Sequence, residues 1–207
     1  DMKKCYIIAG GDFDGFFDKV NEEDMVIAAD KGHIYAKESG ITPTMIIGDF
    51  DSSNQPDGEM VIKLNPIKDY TDTKAALMIA EDWGYDNIVI YGALGGRDSH
   101  TFANVQSALE FKKKNINVVL KSKNKRFYIV NNQLDYKFTE DNDFYVSIFA
   151  ISDLVRGLDI KGLYYELNNF DLTNDNALGV SNETIGRDFK ISVESGYILV
   201  IFEDKSI

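Results

Sequence analysis

Between Lys121 and Arg126 the hydrophobic pattern of this 207-residue chain changes period, and that change dictates two different folds in series. Before it, short apolar runs alternate with stretches of helical spacing. Cys5–Ala9, Met25–Ala29, Thr44–Ile47, Met60–Leu64, Asn87–Tyr91 and Asn117–Leu120 have the length and composition of strands. A helix-like stretch follows Gly32 to about Ser39, Asp72–Trp83 carries apolar residues at 75, 76, 79, 80 and 83, and Thr101–Lys113 makes a third helix. Strands alternating with helices imply an α/β domain with a mainly parallel sheet covered on both faces. After the change, Phe127–Val130, Leu134–Phe138, Phe144–Ile151, Leu154–Ile160, Leu163–Leu167, Phe189–Val193 and Tyr197–Phe202 are short runs separated by Asn, Asp and Gly. That is an antiparallel, all-β pattern, a small sandwich or barrel. Two domains are therefore expected, 1–124 and 125–207.

Charge and cysteine content narrow the function classes. With 34 Asp and Glu against 22 Lys and Arg, the net charge of −12 repels nucleic acid at long range. The basic stretch from Lys112 through Arg126 reads as a solvated helix end and connector. An acidic balance is compatible with a cationic small substrate. No apolar run approaches the ~18 residues of a membrane span, and the N-terminal residues lack the pattern of a signal peptide. The lone Cys5, beside Tyr6-Ile7-Ile8, is expected to be a buried structural thiol, so a cytoplasmic setting is expected.

In a parallel sheet, ligands bind where strands end and helices begin. Here those ends collect acids and glycines: Gly10-Gly11-Asp12, then Asp30, then Gly48-Asp49-Phe50-Asp51, then Lys68-Asp69-Tyr70-Thr71-Asp72, then Gly92 through His100. Asp49 and Asp51 are two apart, so an extended backbone aims both carboxylates to one side. Such a pair makes sense around a cation, and hard oxygen donors suit Mg²⁺. Thr71 and Asp72 also fit a helix N-cap, a role compatible with ligand binding. The loop Gly92-Ala93-Leu94-Gly95-Gly96-Arg97 permits close backbone approach to an anion, and Arg97 adds a guanidinium suited to phosphate. It is neither a Walker loop nor Gly-x-Gly-x-x-Gly. His33 fits an ordinary helix residue, and His100 a helix-start residue. The segment from Asp49 is no calcium loop, because Asn54 and Met60 stand where glycine and glutamate are required. It also resembles the nucleophile loop of haloacid-dehalogenase-like phosphatases, although that loop follows the first strand of its domain and two strands come first here.

The ordered set Ala28-Ala29-Asp30-Lys31-Gly32, Gly48-Asp49-Phe50-Asp51-Ser52, Lys68-Asp69-Tyr70-Thr71-Asp72 and Gly95-Gly96-Arg97 with His100 and Asn104 resembles the thiamine pyrophosphokinase family. The resemblance continues through Gly162-Leu163-Tyr164-Tyr165 and Gly179-Val180-Ser181-Asn182-Glu183. It implies an N-terminal α/β nucleotide- and Mg²⁺-binding catalytic domain and a C-terminal β-sandwich for thiamine binding and dimerisation. It further implies a homodimer with active sites shared between subunits. The implied reaction moves the terminal pyrophosphoryl unit of ATP to thiamine, giving thiamine diphosphate and AMP. Asp49, Asp51 and Asp72 would hold Mg²⁺, with Arg97 and Asp98 completing the catalytic set. Asp30, Lys68, Asp69, Thr71, Gly95, Gly96 and His100 would bind the nucleotide. Tyr165 would offer an aromatic face to thiamine, with Ser181 and Asn182 as polar contacts. Two positions depart from the family pattern. Ser99 stands where Asp precedes His100, with Asp98 one place early, and Lys31 replaces a small residue after Asp30. The alternatives are an aspartyl-phosphate phosphatase using Asp49 as nucleophile and a thiamine- or nucleotide-binding sensor with degraded catalysis.

Overall fold

The computed structural model describes residues 2–50, 56, 60–65, 69–140 and 142–206, and the chain divides into two compact units, 1–123 and 124–207. The first contains, in chain order, β1 (Cys5–Ile8), β2 (Met25–Ala29), α1 (Gly32–Glu38), β3 (Met45–Gly48), β4 (Val61–Lys63), α2 (Asp72–Asp82), β5 (Asn87–Tyr91), α3 (Asp98–Lys112) and β6 (Asn117–Lys121). Its strands lie in the order β6-β5-β1-β2-β3-β4, every neighbouring pair parallel. β1 and β2 are buried at every position, as strands covered on both faces must be. Cys5 lies in this core, and burial, aided by the charge of Asp24, pushes its thiol up to about 12.

Because all six strands run the same way, their carboxyl ends share one edge. At that edge α2 begins with the Thr71 hydroxyl accepting the Lys74 N–H at 3.1 Å, with Asp72 in the first turn. Thr71 is thus an N-cap in fact as well as in pattern. The third helix starts at Asp98, earlier than the periodicity places it. Arg97 is still extended, and the His100 N–H closes back onto the Arg97 carbonyl at 3.0 Å. Polar first turns carry no apolar period, which is why the start is invisible to pattern.

The second unit comprises β7 (Lys125–Val130), β8 (Gln133–Tyr136), β9 (Phe144–Ala150), β10 (Leu154–Lys161), β11 (Leu167–Thr173), β12 (Gly179–Glu183), β13 (Phe189–Ser192) and β14 (Ile198–Asp204). They form two antiparallel sheets, β12-β9-β14-β7 and β11-β10-β13-β8. Val146, Ile148, Val200 and Phe202 from one sheet share a core with Val155, Leu158, Ile160 and Ile191 from the other. This is a sandwich. Phe202, 1% exposed, sits among Tyr128, Tyr136, Phe144 and Phe189, so truncating it to Ala is expected to cost about 3–5 kcal/mol.

The strand expected over Leu163–Leu167 is absent. Gly162 takes φ +96, Leu163 makes a single bridge to Thr184, and the strand proper begins at Leu167. β12 also forms where only a motif was visible.

Candidate active site

A cavity of about 580 Å³ opens at the carboxyl edge of the first unit's sheet. The turn after β1 contributes Gly10, Gly11 and Asp12; the turn after β2 contributes Asp30 and Lys31; Asp49 comes from the end of β3. The start of α2 adds Thr71, Asp72 and Thr73, and the β5–α3 loop adds Gly92, Gly95, Gly96 and Arg97. His100 and Asn104 follow on α3, three and seven residues after Arg97, which is the spacing of one helix face. Asp98 and Ser99 turn off that face and do not line the cavity.

The glycine loop requires its glycines. Gly95 and Gly96 take φ +77 and +67, and a Cβ on Gly95 would fall 2.7 Å from Asp12 Oδ2. The same Asp12 oxygen accepts the Gly96 N–H at 2.9 Å. Asn104, 8% exposed, donates from Nδ2 to the Ala93 carbonyl at 3.0 Å and so ties the loop to α3. Its role in the wall is to satisfy a buried carbonyl and fix the loop's height.

Opposite this loop lies an acidic wall. Asp30 occupies the left-handed region at φ 55, which Asp tolerates better than most residues, and its carbonyl meets His33 Nδ1 at 2.9 Å. Burial raises the Asp30 pKa, Asp72 and Asp49 raise it further, and Lys31 and His33 partly offset them. Asp49 is exposed, whereas Phe50 turns inward onto Ala28, Ile46 and Val61 and meets the His33 ring edge-on at 5.7 Å. This alternation puts Asp49 on the cavity side.

Among the described residues, no group of three or more His, Cys, Asp or Glu side chains is arranged to hold a metal ion. Asp51, the third member of the expected trio, lies outside the described residues, as does Lys68. Asp49 and Asp72 nonetheless supply hard oxygen donors of the kind Mg²⁺ takes, and their charges act on Asp30 in the same direction as its burial, a repulsion that a divalent cation would relieve. Asp69 is exposed and does not line the cavity. Tyr35, to which sequence reasoning assigns no role, does line it. The available signal was its position one helical turn after Lys31.

The second unit carries the three remaining candidates. Tyr165 is 65% exposed and meets Tyr164 edge-on at 4.8 Å. Asn182 is 5% exposed and its carboxamide is committed to the backbone. Oδ1 accepts the N–H groups of Tyr165 and Glu183, each at 2.9 Å, and Nδ2 donates to the Tyr165 carbonyl at 2.8 Å. Asn182 thus holds Tyr165 in place. Ser181 is exposed, at φ 58, and its N–H donates to the buried Ser147 hydroxyl at 2.9 Å. That left-handed kink accompanies the irregular register between β12 and β9.

Comparisons with known proteins agree with this division. Residues 16–120 match the family model described as "Thiamin pyrophosphokinase, catalytic domain", and residues 131–198 match "Thiamin pyrophosphokinase, vitamin B1 binding domain". Thiamine pyrophosphokinase of Bacillus subtilis (strain 168) is 31% identical over 214 aligned positions, covering 97% of this chain and 98% of that protein. The crystal structure of thiamine pyrophosphokinase from Bacillus subtilis superposes with a TM-score of 0.86 at 28% identity, covering 98% and 99% of the two chains. Thiamin pyrophosphokinase from Candida albicans, 16% identical, shares the fold with a TM-score of 0.76 over 97% of this chain and 90% of that one. Both family models are matched in order and one relative aligns from end to end, so the chain belongs to the thiamine pyrophosphokinase family.

Proposed function

We propose that this chain transfers the terminal pyrophosphoryl group of ATP to the hydroxyethyl oxygen of thiamine, giving thiamine diphosphate and AMP. The observation that carries the reading is the meeting of Asp30, Asp49 and Asp72 with the Gly95-Gly96-Arg97 loop around one cavity. An acidic wall facing an anion-binding loop is the arrangement a metal-chelated polyphosphate needs. Arg97 would neutralise charge on the transferred group, and the N-terminus of α2 would add its dipole. Asp49, Asp51 and Asp72 would hold Mg²⁺, which when bound supplies charge neutralisation and orientation for in-line attack. Asp30, Lys68, Thr71, Gly95, Gly96 and His100 are proposed to bind the nucleotide, Asp69 to do so from outside the cavity wall, and Asp98 to complete the catalytic set with Arg97. No covalent enzyme intermediate is required, because positioning and electrostatics suffice for phosphoryl-type transfer.

Residues 1–124 would form the catalytic domain, and 125–207 would bind thiamine and mediate a homodimer. The exposed Tyr165 ring offers a face on which the cationic thiazolium can rest, with Ser181 beside it and Asn182 holding the turn. A cytoplasmic setting suits the single, buried thiol. Among the described residues, no helix is long and apolar enough to cross a membrane.

Incubation with ATP, Mg²⁺ and thiamine should yield AMP and thiamine diphosphate in equal amounts. ADP with thiamine monophosphate would contradict the transfer. A phosphoryl group trapped on Asp49 would indicate the phosphatase mechanism, and binding of both ligands without turnover would indicate a sensor.

A further inference from the structure

The segment between β1 and β2 has no regular secondary structure, yet it is held more firmly than its lack of helix or strand suggests. Its sequence Asp12-Phe13-Asp14-Gly15-Phe16-Phe17-Asp18 sets acids between aromatics. Two of its three aromatics pack inward, Phe13 at 4.9 Å from the Tyr35 ring and Phe16 at 4.6 Å from Tyr91 and 5.3 Å from Tyr6, while Phe17 is exposed. Each acid grips a different piece of the sheet's carboxyl edge. Asp12 accepts the Gly96 N–H at 2.9 Å, and Asp14 accepts the Lys123 N–H at 3.0 Å. Asp18 accepts from the Tyr91 hydroxyl and pairs with Lys121 Nζ at 3.0 Å. The Tyr91 hydroxyl also accepts the Phe17 N–H at 3.1 Å. The Lys121–Asp18 pair is largely shielded, with side chains 13% and 21% exposed, so it is screened less than a surface pair.

We propose that residues 12–18 form a strap that sets the position of the glycine loop, with Asp18 its anchoring, positioning residue and Asp12 the contact through which it acts. Gly96 and Arg97 border the cavity from a loop in which two consecutive glycines take left-handed conformations, a backbone with intrinsic freedom. The Asp12 carboxylate removes that freedom at the Gly96 amide. Asp12 itself is exposed; on its near side the Gly11 N–H bonds the Gly92 carbonyl at 2.8 Å, and on its far side the strap is fixed at Asp18, Tyr91 and Lys121, so its place is set from both ends. Tyr91 ends the same strand, β5, whose following residues form the glycine loop. The strap therefore bonds once to the strand that leads into the loop, at Tyr91, and once to the loop itself, at Gly96. This inference rests on the proposed function for its effect on nucleotide use, but not for the strap itself.

The test compares wild type with Asp18→Asn, Asp12→Ala and the double variant. Hydrogen exchange should quicken at the Gly96 and Arg97 amides in Asp18→Asn while β1 and β2 keep their protection. The KM for ATP should rise roughly ten-fold with the KM for thiamine unchanged, as expected when a positioning group is displaced. The double variant should be no worse than the poorer single variant, because both act through one loop. Unchanged exchange at Gly96 and Arg97 in folded Asp18→Asn, or additive losses in the double variant, would overturn the proposal. Should Asp18→Asn not fold, Lys121→Met removes the same ion pair and carries the same expectations. If the wild-type protein makes no AMP, the functional reading fails alone, and the exchange measurement still decides the strap.

Discussion

Replacing Asn182 by Ala separates a substrate contact from a support. The side chain makes three hydrogen bonds, two to the backbone of Tyr165 and one to that of Glu183. Each such bond is worth about 0.5–1.5 kcal/mol net, so their loss totals roughly 2–4 kcal/mol. Tyr165 is 65% exposed, and water can take over part of what its N–H and C=O lose, which brings the figure toward about 2 kcal/mol. For a chain of this size that corresponds to a fall in Tm of about 4–8 °C. In activity the expected effect is a raised KM for thiamine with an unchanged KM for ATP, because Asn182 lies in the second unit and touches the strand-bridge turn rather than the acidic cavity. The decisive measurement is the same substitution made in a Tyr165→Ala background. If Asn182 acts by holding Tyr165, it should change thiamine use little once the ring is gone. An unchanged Tm, or a full additional loss of thiamine affinity in the double variant, would refute the argument and return Asn182 to direct contact.

Asp49→Asn and Asp72→Asn are each expected to lower turnover at least ~10²-fold and to shift Mg²⁺ dependence to higher concentration; steady-state rates across a Mg²⁺ titration check both. Gly96→Ala forces an L residue to φ +67, about 1–2 kcal/mol of strain, beside the cavity, whereas Gly40→Ala at φ +70 meets nothing within 4 Å. Comparable losses of Tm are expected for the two, with activity lost only at Gly96. For pH dependence, the Asp143 carboxyl sits below the usual carboxylate range because the Thr184 hydroxyl and the Lys205 ammonium donate to it. A depressed folded pKa contributes stability above the unfolded value and loses it as pH falls. Melting curves should therefore show wild type more stable than Asp143→Asn at neutral pH, by under about 1 kcal/mol for so exposed a pair, with the gap closing on acidification.

How much of this was legible in the sequence follows from where hydrophobic period coincides with structure. The parallel strands β1, β2 and β3 are short, apolar and lead within two residues into glycine or aspartate, so their ends and the acidic edge could be read directly. Phe50 illustrates why Asp49 could be oriented as well, since an apolar residue turned into the core leaves its neighbour facing out. β11 could not be read. Its Asn168, Asn169 and Asp171 break any alternation, and side chains stand in for ladder bonds at its irregularities, with Asp159 accepting the Asn169 N–H at 2.7 Å and Asp171 accepting the Gly157 N–H at 3.2 Å. The Asn182 support was hidden for a related reason. A carboxamide that binds ligand and one that binds backbone look alike in sequence, and only burial tells them apart. The strap of 12–18 leaves no such mark in the sequence, because its order comes from side-chain grips, which have no period.

The strand order of the first unit also bears on how the chain is made. β1 is central, but its two neighbours arrive at very different times: β2 follows within about twenty residues, whereas Cys5 must wait for Ile88 of β5. At ribosomal rates the second edge of β1 stays unpaired for about 4–17 s. During that interval Cys5-Tyr6-Ile7-Ile8 is an apolar, uncharged edge of the kind that recruits other strands. Lys3 and Lys4 stand immediately before it. Charges flanking an apolar strand are a general means of disfavouring edge pairing, and Lys3 and Lys4 stand where such charges would act until β5 closes the sheet.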